Sequence, residues 1–190
     1  MSAKFKNSLA TFCLYKGLPV LSFDFILGKP SDIEAGGGVG PQLFNSFYIL
    51  LLSMLVSIPL AIGAGVYLAE YAKETRLTKI IRLSTESLAT VPSIVLGLFG
   101  MIIFVNFLGF GFSIIGGALT LLLLNLPILV RVTEETIKTI PPSYREASLA
   151  LGATKWQTIW KVVLPNALPG IITGITLTAG RALGETAILI

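Results

Sequence analysis

Arg181 and Glu185 are the residues of this chain best suited to act on an anion, and they are the only charged residues between Val162 and Ile190. A helix starting after Pro169 and Gly170 puts Arg181 about 11 residues, or roughly 16 Å, along its axis. That is near the centre of a bilayer. An arginine at such a depth costs on the order of 3 kcal/mol. Glu185, one turn further on, is within reach and offsets part of that cost. Arginine before glutamate is the weaker order for a helix-stabilising pair, so helix stability does not account for it. A guanidinium presents a planar fork of N–H donors that matches the oxygens of phosphate. A carboxylate beside it would keep the anion from being held too tightly. A plainer account starts the helix at Val162 and leaves Arg181 as an anchor at the outer interface. The apolar sequence that resumes at Ala187 counts against that account.

A second cluster lies between Pro141 and Pro165. Pro141 and Pro142 stop the preceding helix, because proline lacks an N–H and restricts the residue before it. Ser143 and Glu146 have the spacing of a capping box, which predicts a helix starting at Tyr144. Gly152 is placed to end that helix in a left-handed conformation. Thr154 and Gln157 repeat the capping spacing and predict a second helix running to Pro165. Two short helices hinged at a glycine make a docking element. The plainer alternative is a capped hairpin whose Glu146 only satisfies backbone donors.

The elements that must position these residues are membrane helices. Of the 190 residues, 54% are hydrophobic and 13% charged, too apolar for a soluble core of this length. No charged residue occurs from Ala35 to Ala69 or from Ser87 to Val130. A spanning helix needs about 20 apolar residues. The first run holds one span, near 43–69. The second holds two, near 88–108 and 113–130, with Gly109 and Gly111 at the turn. A fourth is expected near 168–190. An N-terminal and external segment, 1–42, precedes this transmembrane domain, 43–190. Pro59 inside the first span is tolerated in membrane helices, where it kinks or packs.

Charge sets the orientation. Lys73, Arg76, Lys79 and Arg82 lie in one connecting loop, and Arg131, Lys138, Arg145, Lys155 and Lys161 in another. Two spans separate the loops, so both face one side, and their lysine and arginine excess makes it the cytoplasm. Asp24, Asp32 and Glu34 against Lys16 and Lys29 suit the outside. The net charge of +4 is therefore topological. No basic face alternates with stacking aromatics, so nucleic acid is not an expected partner. Lys4 and Lys6 before an apolar patch resemble the start of a secretory signal, but no small-residue cleavage site follows.

Glu146, Ala147 and Ser148, with Gly152, Val162, Leu164 and Pro165, resemble the EAA loop of ABC importer permeases. The family form is Glu-Ala-Ala, glycine four positions on, then Ile-x-Leu-Pro, so Ser148 and Val162 are mild departures. The stretch from Val91 to Phe99 is similar to phosphate-importer permeases. So are Leu126 and Pro127 followed by Arg131 to Glu135, and Gly180 to Ala187. Gly184, Glu185, Thr186 and Ala187 are closest to the PstA type, although Ile188 replaces a common proline. The resemblance covers nearly everything from Gly36 to Ala187. It implies an all-α integral membrane protein, a type I (MetI-like) helical bundle with a cytoplasmic coupling loop at 143–165. The activity implied is passage of inorganic phosphate across the cytoplasmic membrane of a bacterium or archaeon, driven by ATP hydrolysed elsewhere. Implied partners are a second permease subunit, two ATP-binding cassette subunits, an external phosphate-binding protein and membrane lipid. By position, Arg145, Glu146, Ala147, Gly152, Leu164 and Pro165 would couple to the ATPase. Arg181, Glu185 and Thr186 would line the substrate pathway between the two permeases. The family has six spans against four here, which implies a chain shortened at both ends. A permease for another oxyanion or small solute stays open, as does a non-transporting fragment that still docks the ATPase.

Other chemistry finds no residues. The run Gly36 to Gly40 precedes a span and no GK[ST] follows, so it reads as a flexible loop. No Walker A motif is present, so the chain is not its own ATPase, and no nucleophile–base constellation points to an enzyme. Histidine is absent and Cys13 is single, which leaves no metal site of the usual kind and no cofactor. Glu134 and Glu135 are adjacent, point different ways around a helix, and read as a solvated cytoplasmic face.

Overall fold

The computed structural model describes residues 22–28 and 38–184, together with Tyr15 and Gly17. Two compact units divide between Tyr48 and Ile49. Within the first, helix α1 (Phe23–Leu27) is capped by Ser22, whose hydroxyl accepts from the Phe25 N–H at 3.1 Å. Gly38 then passes so close to the Gly28 backbone that no side chain would fit.

Helix α2 (Gly40–Val66) continues into a π turn at Tyr67–Tyr71, and together they are long and apolar enough to cross a membrane. Pro59 sits inside it, as membrane helices allow. Helix α3 (Arg76–Thr90) follows, and the chain then bends by 100° into Ser93–Phe107. That segment comprises α4 (Ser93–Gly100) and a π-helical stretch, Met101–Phe107. The uninterrupted span expected near 88–108 is thus an apolar helix starting at Ser93, because Pro92 forces Val91 out of helical geometry. The turn at Gly109 and Gly111 forms as expected, both glycines having positive φ (69° and 62°).

Helix α5 (Ile114–Thr139) is the centre of the second unit and a membrane-length helix. Its Leu129 and Val130 meet Leu50, Met54 and Ala61 of α2, and its Leu121 and Leu124 meet Leu96 of α4. Helix α6 (Pro142–Ala150) comes next, then a single 30-residue helix from Lys155 to Gly184. This last helix comprises α7 (Lys155–Thr158), a π turn at Ile159–Val163, and α8 (Leu164–Gly184). Val163, Ala167 and Ile171 pack on Ile137 of α5 and on Ile140, its C-cap. Close helix approach depends on small residues. Gly65 of α2 lies against Thr133, and Gly170 and Gly174 of α8 lie against Thr136 and Val132, where any Cβ would clash.

Helix α3 is amphipathic with its polar side inward. Arg82 and Glu86 reach α5 through ion pairs, while Leu77, Ile80 and Leu83 are exposed. This arrangement suits a helix at a membrane surface, where the apolar side meets acyl chains.

Candidate functional site

The cytoplasmic element is built on backbone chemistry that the sequence largely specifies. Helix α6 starts at Pro142, with Pro141 as its N-cap and no side-chain cap bond. The Ser143–Glu146 capping box expected there does not form. Proline at the first helical position has its φ preset and needs no N–H partner, so the helix begins before Ser143 can cap it. The C-terminus follows expectation: Gly152 has φ +83° and its N–H donates to Leu149 O at 2.9 Å. The Ala153 N–H donates to Ser148 O at 3.2 Å, which completes a Schellman motif. The second capping box also forms, with Gln157 N donating to Thr154 Oγ1 at 3.3 Å and Thr154 N to Gln157 Oε1 at 2.9 Å. Ser148 and Thr158 hydroxyls, 2.9 Å apart, tie the two arms together.

The second arm does not stop at Pro165. It runs on to Gly184, with a π turn at Ile159–Val163 rearranging the backbone pairing just before Pro165. Leu164 and Pro165 are therefore part of a long helix, with Leu164 packed on α5, and they do not sit at the tip. The tip itself exposes Glu146, Ala147, Leu149 and Leu151. Such a mixed acidic and apolar knob can dock on another protein.

Arg145 points the other way. Its Nε donates to Glu70 Oε1 at 2.8 Å, with Nη2 2.7 Å from the same oxygen. Nη1 donates to Ile140 O at 2.8 Å and Nη2 to Ile137 O at 3.0 Å, satisfying carbonyls at the end of α5. Lys155 Nζ donates to Glu70 O and stands 4.7 Å over the Tyr71 ring. Across the bundle, Glu134 accepts from Arg82 Nε at 2.7 Å and from Lys138 Nζ at 2.6 Å. Glu134 is only 7% exposed, so the solvated face expected for it is replaced by a buried, doubly paired carboxylate. Glu135 does stay exposed, held by Arg131. Glu74, outside the spans, has its carboxyl held below the usual range by the hydrogen bond from Arg82. Arg82, Arg131, Glu86 and Glu134 line a cavity of about 180 Å³.

The position of Arg181 is set by register. Gly170 packs on Thr136 and Gly174 on Val132, so antiparallel α8 and α5 run in step and Arg181 comes level with Asn125. The uncharged part of α5 runs from Ile114 to Val130, so Arg181 stands about three residues, roughly 5 Å, from its middle. The helix starts at Lys155, 16 residues before the Ile171 start expected from Pro169 and Gly170, and Arg181 stands beside the uncharged part of α5. It is exposed on the side of α8 and is engaged in an interaction. Glu185 and Thr186 lie outside the described residues. Among the described residues no cluster could hold a metal ion.

Three features escaped the sequence reading. Glu70 was legible as the first charge after 35 uncharged residues, but its partner Arg145 lies 75 positions away. Lys155 was counted only as a topological charge. Asn125 is fully buried, with Nδ2 3.5 Å from Ser53 Oγ and Oδ1 unpartnered, and no local pattern announces it.

The geometry can be compared with known proteins. A family model described as a binding-protein-dependent transport system inner membrane component matches residues 61–190. A probable ABC transporter permease, YqgI of Bacillus subtilis, is 51% identical over 96% of this chain and 62% of its own length. The phosphate transport system permease PstA of Xylella fastidiosa is 39% identical over 92% of this chain and 61% of its own. The chain thus spans about three-fifths of the length of these relatives. In fold it resembles an inward-facing MetNI methionine ABC transporter chain, with TM-score 0.69 and 23% identity over 78% of this chain and 74% of that one. The family match extends over more than half of the sequence, and the chain belongs to the binding-protein-dependent transport system inner membrane components.

Proposed function

We propose that this chain is a permease subunit of an ATP-driven importer of inorganic phosphate. It works with a second permease subunit, two ATP-binding cassette subunits and an external phosphate-binding protein. The observation that carries the reading is the helix Lys155–Gly184, which joins the docking element at one end to Arg181, opposite Asn125 of α5, near the other. Lys155 and Arg181 are 26 residues apart, about 39 Å along the axis. Closure of the ATPase on the tip at Glu146 and Ala147 displaces the element. Gly152 lets α6 turn back on α7, and Leu164 and Pro165 carry the motion into the span. At depth the Arg181 guanidinium takes phosphate oxygens through charge-assisted hydrogen bonds. Glu185 and Thr186 complete the pathway wall, the carboxylate limiting residence of the anion.

The names of the PstA relatives support phosphate as substrate. The YqgI relative, at higher identity, carries no substrate in its name, which favours keeping another oxyanion as the second reading. The test is ATP-dependent uptake of radiolabelled phosphate in permease-deficient cells expressing the chain with its partners. Uptake abolished by Arg181→Ala and indifferent to excess sulfate or molybdate is expected. Uptake displaced by sulfate or molybdate would refute phosphate as the substrate.

A further inference from the structure

We propose that Glu70 is the receptor within this chain for the coupling element. Arg145 and Lys155 fasten the element's two arms to it, so displacement of the tip reaches the π turn at the foot of α2 as well as α8. The inference rests on the importer reading above, and it assigns to Arg145 a positioning role inside the chain in place of a contact with the ATPase.

The element is internally tied. The Schellman motif at Gly152, the Thr154–Gln157 capping box and the Ser148–Thr158 bond make its two arms one body. Among the described residues, the side-chain hydrogen bonds that leave it for α2 and the end of α5 come from Arg145 and Lys155. Both converge on Glu70, Arg145 on the carboxylate and Lys155 on the carbonyl. The Glu70 and Arg145 side chains are 10% and 23% exposed, so this is no solvated surface pair. A helix cap alone would explain Arg145 on Ile137 O and Ile140 O. It would not explain two nitrogens on one Glu70 oxygen.

The receiving end is suited to move. Glu70 lies in the π turn Tyr67–Tyr71, closed by Ala72 N donating to Tyr67 O at 2.9 Å. Such turns carry one extra residue and recur at functional sites. The π turn Ile159–Val163 stands across an apolar groove of about 520 Å³ lined by Tyr67, Tyr71, Trp156 and Trp160. The two widened turns therefore face each other across free space, each joined to the same element.

The test uses the assembled complex in proteoliposomes, with Cys13→Ser and nitroxide pairs on introduced cysteines. One pair, Leu151→Cys with Tyr67→Cys, reports tip against π turn; a second, Leu151→Cys with Phe112→Cys, reports tip against the outer loop. On ATP binding the second distance should shift while the first stays fixed. In a Glu70→Ala background the first should shift as well. A tip-to-π-turn distance that behaves alike in both backgrounds overturns the inference. In the same vesicles Arg145→Glu should lower phosphate moved per ATP hydrolysed by about fivefold or more, and adding Glu70→Arg should restore it. Loss of uptake and hydrolysis in equal proportion, with no rescue, would mean that Arg145 only caps α5. The nitroxide distances do not depend on substrate. A native complex that shows them but moves no phosphate sinks the phosphate reading and leaves the linkage standing.

Discussion

Glu134→Ala measures how far the cytoplasmic ends of the helices are held by charge. Glu134 Oε1 accepts from Arg82 of α3 and from Lys138 one turn along α5, at 2.7 and 2.6 Å. Removing one partner of a buried pair costs about 3–5 kcal/mol, whereas an exposed pair is worth about 0–1 kcal/mol. The Glu134 side chain is 9% exposed, Arg82 27% and Lys138 47%, so the site lies between these limits. Arg82 also keeps Glu74 and the Leu68 carbonyl as partners, which softens the loss. The expected cost is about 2 kcal/mol, a fall in Tm of about 4–8 °C for a chain of this size. The assay is thermal unfolding of the detergent-purified complex for Glu134→Ala, Arg82→Ala and the double variant. The two substitutions remove one interaction, so the double variant should unfold about 2–6 °C higher than additivity gives, a coupling of about 1–1.5 kcal/mol. Additive shifts, or a single-variant shift below about 1 °C, would show that solvent screens the pair and would refute the argument from burial.

Gly174→Leu should wedge α8 from α5 at Val132 and destabilise the complex by about 1–3 kcal/mol in the same unfolding assay. Gly63→Ala, where nothing lies within 4 Å, should leave Tm unchanged or raised, by up to about 1 kcal/mol. Gly152→Ala forces a side chain into φ +83°. It should cost about 1–2 kcal/mol locally, read as weaker co-purification of the ATPase subunits with the spans intact. Ile137→Ala, at a residue with no exposed surface, should cost about 2–5 kcal/mol in unfolding assays.

Local chemistry was legible wherever one residue decides the outcome. Gly152 in a left-handed conformation, the Thr154–Gln157 capping box and the turn at Gly109 and Gly111 all follow from short-range sterics and hydrogen bonding. The failures occurred where two local rules competed. Ser143 and Glu146 have the capping spacing, but Pro142 is already preset for the helix and takes its first position. Pro165 carries a stop signal, but a π turn at Ile159–Val163 precedes it and the helix passes through, as membrane helices allow. The place of Arg181 opposite Asn125 is fixed by packing of Gly170 and Gly174 on α5, a long-range register that no window along α8 contains. The same holds for Glu70 and Glu134. Each was visible as a charge, and its role depended on a cation from another element.

Two kinds of contact interleave along the charged end of α5, from Arg131 to Lys138. Where Gly65, Gly170 and Gly174 meet α5, the helices touch through small residues and hydroxyl-bearing side chains. Lipid tails are as apolar as the side chains they would replace, so such contacts gain from close packing more than from burial. Near the cytoplasmic ends the helices are joined by Glu70 with Arg145, Glu134 with Arg82, and Arg131 with Glu86. A charge pair further along α5, at the level of Asn125, would carry a desolvation cost that its attraction only repays with ideal geometry. The arrangement makes the ends directional, since a guanidinium on a carboxylate resists separation along specific N–H···O lines. The glycine seam is held by contacts that are individually weak and unoriented. On the linkage proposed above, force applied to α6 meets the charged joints at Glu70 and the end of α5 first, ahead of the glycine contacts interleaved with them.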